Sequence, residues 1–250
     1  MTRALSAFRS LLEYAVSDGR VTVNAAANVR APTVGRARRE GRALTVAELL
    51  HLASACTGPY AELVLVLGLA GLRWGELAGL RIADRVFVPG RGLRVQRAVL
   101  ASRGGGELYV DSLKTSRART VPLVPDLVPI IDRWAADRPV DGWLFPSPEG
   151  GPLRESNWKR SVNWAEAREA IAVPTLRVHD LRHTAASIWL AYGADPKVVQ
   201  RVLGHSTATM TMDLYGHLLD ASLWLAADKI GDTSGTFLAR PSGDANASDE

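Results

Sequence analysis

Five short segments carry side chains whose types and spacing could do chemistry. Arg73 lies in Ala70-Gly71-Leu72-Arg73-Trp74-Gly75-Glu76-Leu77, a glycine-flanked interruption of an apolar helical pattern. Lys114 stands between strand-like runs, in Leu113-Lys114-Thr115. His179-Asp180-Leu181-Arg182-His183 opens a helix after Pro174. Leu203-Gly204-His205-Ser206 puts a histidine just past a helix-terminating glycine, and Tyr215 follows His205 by ten residues.

Taken singly, each has a plain structural explanation. Arg73 and Glu76, three apart, suit an ion pair on a helix surface. Lys114 suits an exposed hairpin, His205 a helix cap, and Tyr215 core packing. His179 and His183, four apart, invite a zinc reading. That motif needs glutamate where Asp180 stands, no third ligand has a suitable spacing, and Arg182 between the histidines repels a cation, so no metal is expected. Taken jointly, two arginines, a lysine and two histidines are donors matched to the non-bridging oxygens of a phosphate, arginine as a rigid planar fork. His179 and Arg182, three apart, share one helical face. A phosphodiester under attack gains negative charge on those oxygens, and removing one preorganised donor typically costs about 3 kcal/mol of barrier. A tyrosine phenol, with a reference pKa of about 10, needs a base or nearby cations to attack at neutral pH.

The elements that must position these groups follow from hydrophobic periodicity. Residues 2–18 read as a helix with Leu5, Phe8 and Leu12 on one face, ending at Asp18-Gly19 before an irregular exit from Asn24 to Pro32. Thr45 with Glu48 three residues on makes a capping box for the next helix. Pro59 starts another that runs apolar to about Leu80. From Arg85 to Leu123 short runs (Val86-Phe87-Val88, Leu93-Arg94-Val95, Leu108-Tyr109-Val110) separated by Pro89-Gly90 and Gly104-Gly105-Gly106 predict a small antiparallel sheet. Helical patterns return over 125–137, 154–170, 180–192, 195–203 and about 207–229. The fold class is α+β, mainly helical, with one sheet inserted after the helix that bears Arg73.

The chain has 250 residues, 47% of them hydrophobic, which is enough for a sizeable core. Cys56 is the one cysteine, so no internal disulfide forms, and a cytoplasmic setting is expected. No apolar run approaches the roughly 18 residues of a membrane span. Residues 1–43 hold eight arginines against three acids, and the run from Arg36 through Arg38, Arg39 and Arg42 forms a basic linker suited to phosphates. The expected organisation is a helical remnant over 1–34, the linker over 35–43, a main domain over 44–230, and a disordered acidic tail over 231–250.

The ordered set Arg73, Lys114, His179-x-x-Arg182, His205 and Tyr215 resembles the tyrosine recombinase, or phage integrase, family. Gly71-Leu72-Arg73-x-Gly75-Glu76-Leu77 is similar to its first-arginine box. Lys114-Thr115 with Arg119-x-Val121-Pro122-Leu123 is similar to its β-hairpin lysine segment, and the histidine strings are similar to its second and third boxes. The resemblance spans residues 71–217 with order and spacing satisfied. It implies a mainly helical catalytic domain and Tyr215 attacking the scissile phosphate to give a 3′-phosphotyrosyl link. Arg73, Arg182 and His205 then hold the non-bridging oxygens, Lys114 protonates the leaving 5′-oxygen, His179 assists proton transfer, and Glu76 orients an active-site group from behind.

No cofactor is implied. The implied partners are double-stranded DNA and a homo-tetramer on DNA, with room for an accessory directionality factor and none for a membrane. The implied setting is the bacterial cytoplasm, at the nucleoid. Residues 2–32 resemble only the last helix and exit of the family's helical core-binding domain, so weak, salt-sensitive DNA binding is expected of this chain alone. The competing readings are a type IB topoisomerase-like nicking and rejoining enzyme and a DNA-binding regulatory remnant of a recombinase.

Overall fold

The structure is a computed structural model that describes residues 2–30, 42–102, 106–112 and 118–204. Lys114, His205, Tyr215, Arg36, Arg38 and Arg39 lie outside the described residues, as do the expected helix over 207–229 and the acidic tail. The chain divides between residues 40 and 41 into two compact units.

In the first unit, α1 (Thr2–Ser17) ends before Gly19, which takes a positive φ of 71°. Arg9 Nε donates to Ala26 O at 2.7 Å, and Asn24 Nδ2 donates to Arg9 O at 3.1 Å, folding the exit back along the helix. Ala26 is buried by this contact, whereas Phe8, Leu11 and Tyr14 stay exposed.

The second unit is built on α3. Helix α2 (Val46–Ala55) starts with the expected capping box: Thr45 Oγ1 accepts from the Glu48 N–H at 3.2 Å, and Glu48 Oε2 accepts from the Thr45 N–H at 2.8 Å. Helix α3 (Leu63–Ala70) has no polar side chain and packs between α2 and α8 (Asp180–Ala191). Thr184 of α8 accepts the Leu44 N–H at 3.0 Å, tying the entry to α2 onto the same helix. The single helix expected from Pro59 to about Leu80 is in fact two, α3 and α4 (Trp74–Ala78). The cause is Gly71, with φ 66°, where a Cβ would fall 2.5 Å from Leu203 Cδ2; glycine alone can both turn and admit that neighbour.

The expected single sheet is likewise two. β1 (Arg85–Val86), β2 (Gly92–Val95) and β5 (Arg119–Pro122) form an antiparallel sheet in the order β1-β2-β5. β3 (Arg97–Ala101) and β4 (Leu108–Ser112) form a separate ribbon. The chain leaves the first sheet at Gln96, whose Nε2 donates to Asp84 Oδ1 at 2.8 Å, while Arg97 Nη1 meets the other oxygen of buried Asp84 at 2.5 Å. β3 then crosses α4 so closely that a Cβ on Gly75 would lie 2.6 Å from Val99 O. In the β2–β5 register Leu93 faces Val121 and Val95 faces Arg119. Leu93, Val95 and Val121 are fully buried, so the two-residue period puts Arg119 in the inward row.

Helix α5 (Leu127–Ala135) buries Leu127, Ile130 and Ile131. The helix expected over 154–170 breaks into α6 (Glu155–Ser161) and α7 (Trp164–Ala170) at Asn163, which is left-handed at φ 51°. Six residues apart on an unbroken helix, Trp158 and Trp164 would point in different directions. The break brings their rings within 5.2 Å, with Trp74 5.0 Å from Trp158 on its other contact. Helix α9 (Pro196–Leu203) is capped by Asp195, which accepts the Lys197 N–H at 2.7 Å, and it ends at left-handed Gly204.

Trp158 is fully buried and its Nε1 donates to Tyr60 O at 3.1 Å. Trp158→Ala leaves a void under three helices and is expected to lower stability by about 3–5 kcal/mol in urea unfolding. A loss under about 1 kcal/mol would mean the site collapses freely, against the packing described.

Candidate active site

The α3–α4 break, the start of α8 and the end of α9 meet around one carboxylate. Arg73 is the residue before α4, in extended backbone, and Glu76 in the first turn accepts its N–H at Oε2, 2.9 Å. Glu76 Oε1 also accepts from Arg73 Nη1 at 2.9 Å. The Glu76 side chain is 2% exposed, whereas that of Arg73 is 46% exposed, so the pair is anchored inside and reaches outward. Among the described residues Arg73 Nε and Nη2 have no partner.

Arg182, on α8, is buried beside this pair. Its Nη1 donates to Gly71 O at 2.7 Å and its Nη2 to Leu203 O at 2.5 Å, and Nη1 lies 4.0 Å from Glu76 Oε2. It thus ties the α3–α4 break to the end of α9. His179 is the residue immediately before α8, and its ring meets that of His183 edge to face at 5.2 Å. The turn before α8 is fixed by Asp180, whose Oδ2 accepts the Arg177 N–H at 2.8 Å and whose Oδ1 takes Arg177 Nη2 at 2.6 Å.

The structure therefore brings together Arg73, Glu76, His179 and Arg182. Arg42 lies elsewhere in the described chain, paired through Nη2 with Glu48 of the α2 capping box. Among the described residues no group of three or more His, Cys, Asp or Glu could hold a metal ion. No helix there is long and apolar enough to cross a membrane.

One participant escaped the sequence reading of roles. Arg119 meets Glu76 with a two-pronged fork, Nη1 to Oε1 at 3.0 Å and Nη2 to Oε2 at 2.8 Å, and its Nε donates to Val202 O at 2.7 Å. The available signal was its spacing: Arg119-x-Val121 on a strand puts both residues on one face, and an inward arginine needs a buried carboxylate. Burial pushes the Glu76 carboxyl up, but the hydrogen bonds and charge of Arg119, with the Arg73 N–H and charge behind them, overcome it and hold the group at about 2.

Burial lowers the pKa of His179, and the charges of Arg182 and Arg73 lower it further. His183 is lowered by burial and then by His179. Both rings are therefore neutral at pH 7, the form that can accept a proton. Because each folded pKa lies below its unfolded value, the pair contributes stability that is present above pH 6.5 and is lost as pH falls through the folded values. Imidazole titration followed by NMR is expected to give midpoints below 6.5 for both rings. Arg73→Gln should raise that of His179 without restoring it fully, since burial remains. A parent midpoint at or above 6.5 would contradict this electrostatic picture.

Comparisons with known proteins agree on one group. The chain is 28% identical over 239 residues to the integrase of Mycobacterium phage L5, covering 92% of this chain and 63% of that protein. It is 31% identical over 215 residues to the integrase of Mycobacterium phage D29, covering 84% of this chain and 56% of that protein. It spans less than two thirds of these relatives' own length. In three dimensions it resembles the Tn1549 transposon integrase in complex with transposon right end DNA, with a TM-score of 0.72 over 90% of this chain and 78% of that one at 22% identity, which speaks to the fold. The phage integrase family model matches residues 42–222, a stretch that contains every element placed around Glu76. With the arginine–glutamate cluster lying inside that match, the chain belongs to the phage integrase family.

Proposed function

We propose that this chain carries the catalytic part of a site-specific DNA recombinase, with residues 44–230 as the catalytic domain and residues 1–34 as part of a helical core-binding domain. The observation that carries the reading is the gathering of Arg73 and Arg182 at one buried carboxylate, with His179 within the field of both arginines and Arg73 left half-exposed and holding donors in reserve. Three arginines face the single charge of Glu76, so the cluster keeps a surplus of positive charge beside solvent, which suits an anion.

On this reading Tyr215 attacks the scissile phosphorus. The phenolic O–P bond forms as the P–O5′ bond breaks. The phenol proton passes to neutral His179, and Lys114 supplies a proton to the departing 5′-oxygen. Arg73, Arg182 and His205 stabilise the non-bridging oxygens. The phosphotyrosyl bond conserves the phosphodiester energy, so rejoining by a 5′-hydroxyl reverses the same steps without a nucleotide cofactor. Arg36, Arg38, Arg39 and Arg42 supply backbone contacts to double-stranded DNA. A homo-tetramer on two duplexes in the bacterial cytoplasm, with an accessory directionality factor, completes the proposed setting.

The test is covalent capture. Nicked suicide duplexes selected from a randomised pool with the parent protein are expected to give an adduct that Tyr215→Phe abolishes while duplex affinity is kept. Arg73→Gln should slow adduct formation by about 100- to 1000-fold. Equal adduct from Tyr215→Phe would sink the assignment of the nucleophile.

A further inference from the structure

We infer that Arg119 is a positioning residue of this site: it apportions the Glu76 carboxylate so that Arg73 keeps donors for the phosphate, and it clamps the α9–Gly204 turn. The inference rests on the recombinase reading above and adds a residue to which that reading gave no role.

Glu76 offers two oxygens, and three guanidiniums lie within reach of them. Arg119 engages both oxygens at once, at 3.0 and 2.8 Å, from a side chain that is only 9% exposed. With both oxygens already occupied by that fork, Arg73 holds the carboxylate through Nη1 alone. Its Nε and Nη2 therefore stay unengaged among the described residues, as a phosphate ligand requires. Without Arg119 the buried carboxylate would have Arg73 as its nearest cation, and the geometry that satisfies it best is a second, parallel bond from Arg73. That bond would turn the reserve donors inward. Arg119 thus acts on Arg73 through the carboxylate they share.

The second contact reaches the other side of the site. Arg119 Nε donates to Val202 O at 2.7 Å, and Gly204 lies against the guanidinium: a Cβ there would sit 3.0 Å from both Cδ and Nη1. Gly204 has φ 67°, so the position needs glycine for its backbone and again for the arginine beside it. His205 is the next residue in the chain. One planar group therefore joins β5, α4 and the end of α9. Arg182, whose bonds run to Gly71 O and Leu203 O, joins the α3–α4 break to the end of α9 from the α8 side. Lysine, with one nitrogen, can hold the charge but cannot meet both carboxylate oxygens and a carbonyl together.

The experiment compares the full-length parent with Arg119→Met, Arg119→Lys, Glu76→Gln and the Arg119→Met/Glu76→Gln double variant. Single-turnover adduct formation, duplex affinity and hydrogen exchange over residues 199–204 are the readouts. Arg119→Met is expected to slow adduct formation by about 100-fold with affinity within about threefold, the loss expected when a site element moves rather than when binding is removed. Exchange over 199–204 should rise, methylguanidinium should restore part of the rate, and the double variant should be little slower than Arg119→Met, because both changes break one unit. If Arg119→Met fails to fold, Arg119→Lys decides, and a folded lysine variant slowed by tenfold or more supports the inference.

A folded Arg119→Met or Arg119→Lys that cleaves at the parent rate overturns the inference. So does a rate loss matched by an equal loss of affinity, or rates that multiply in the double variant. A parent that forms no adduct would instead overturn the recombinase reading, and unchanged exchange over 199–204 in Arg119→Met would then reject the clamp on its own.

Discussion

A carboxylate taken out of water loses hydration worth several kcal/mol, and it stays charged only where donors replace that water. Glu76 meets this condition through one backbone amide and two guanidiniums, with a third guanidinium 4.0 Å away. Those donors come from the α3–α4 break, β5 and α8, elements far apart in the chain. The ion cluster is therefore a constraint on the fold as much as a feature of the site: α4, the end of the sheet and α8 must approach within hydrogen-bond distance of one residue. Removing any partner would leave a buried charge undersatisfied, so the cluster resists piecemeal change.

The main chain is shaped to permit that approach. Gly71 ends α3 and admits Leu203, and Gly204 ends α9 and admits Arg119, so each glycine makes room for a group from the other side of the site. The two turns are bridged by Arg182, which binds the carbonyl of Gly71 and that of Leu203. An arginine whose terminal nitrogens are spent on carbonyls at helix ends is held rigidly, because those carbonyls have no partner inside their own helices. Rigidity here comes from backbone groups, while the half-exposed Arg73 keeps its freedom at the solvent side.

Much of this was readable in the residue order, and the exceptions have physical causes. Gly71, Gly204 and the Thr45–Glu48 box announce their turns and caps through local chemistry alone. The ion pair of Arg73 with Glu76 was foreseen as a plain helix-surface contact. In the structure it is half of a buried cluster, so the structural and functional readings were never exclusive. The break at Asn163 was hidden because the helical pattern runs through it, and only the shared packing of Trp158 and Trp164 demands it. The division of the sheet depends on Asp84 capturing Gln96 and Arg97, a long-range contact with no local signature. Arg119 lies within a motif, yet its role is set by strand register: an arginine two residues from fully buried Val121 must find an anion within the fold.

The state of His179 follows first from burial and then from this surplus of positive charge. An imidazolium beside Arg182 and Arg73 would add a further cation to a site that already holds more arginines than carboxylates, and burial removes the water that would screen it. Asp180 pulls the other way, but its oxygens are already engaged by Arg177, so the attraction it offers is outweighed. Burial, and after it the same arginines that would suit a phosphate, therefore favour the neutral ring of His179 before any anion is bound. On the proposed chemistry this order is useful: once a phosphodiester neutralises part of the arginine field, the cost of protonating His179 falls. The ring becomes a better proton acceptor at the moment a phenol beside that phosphate has a proton to give.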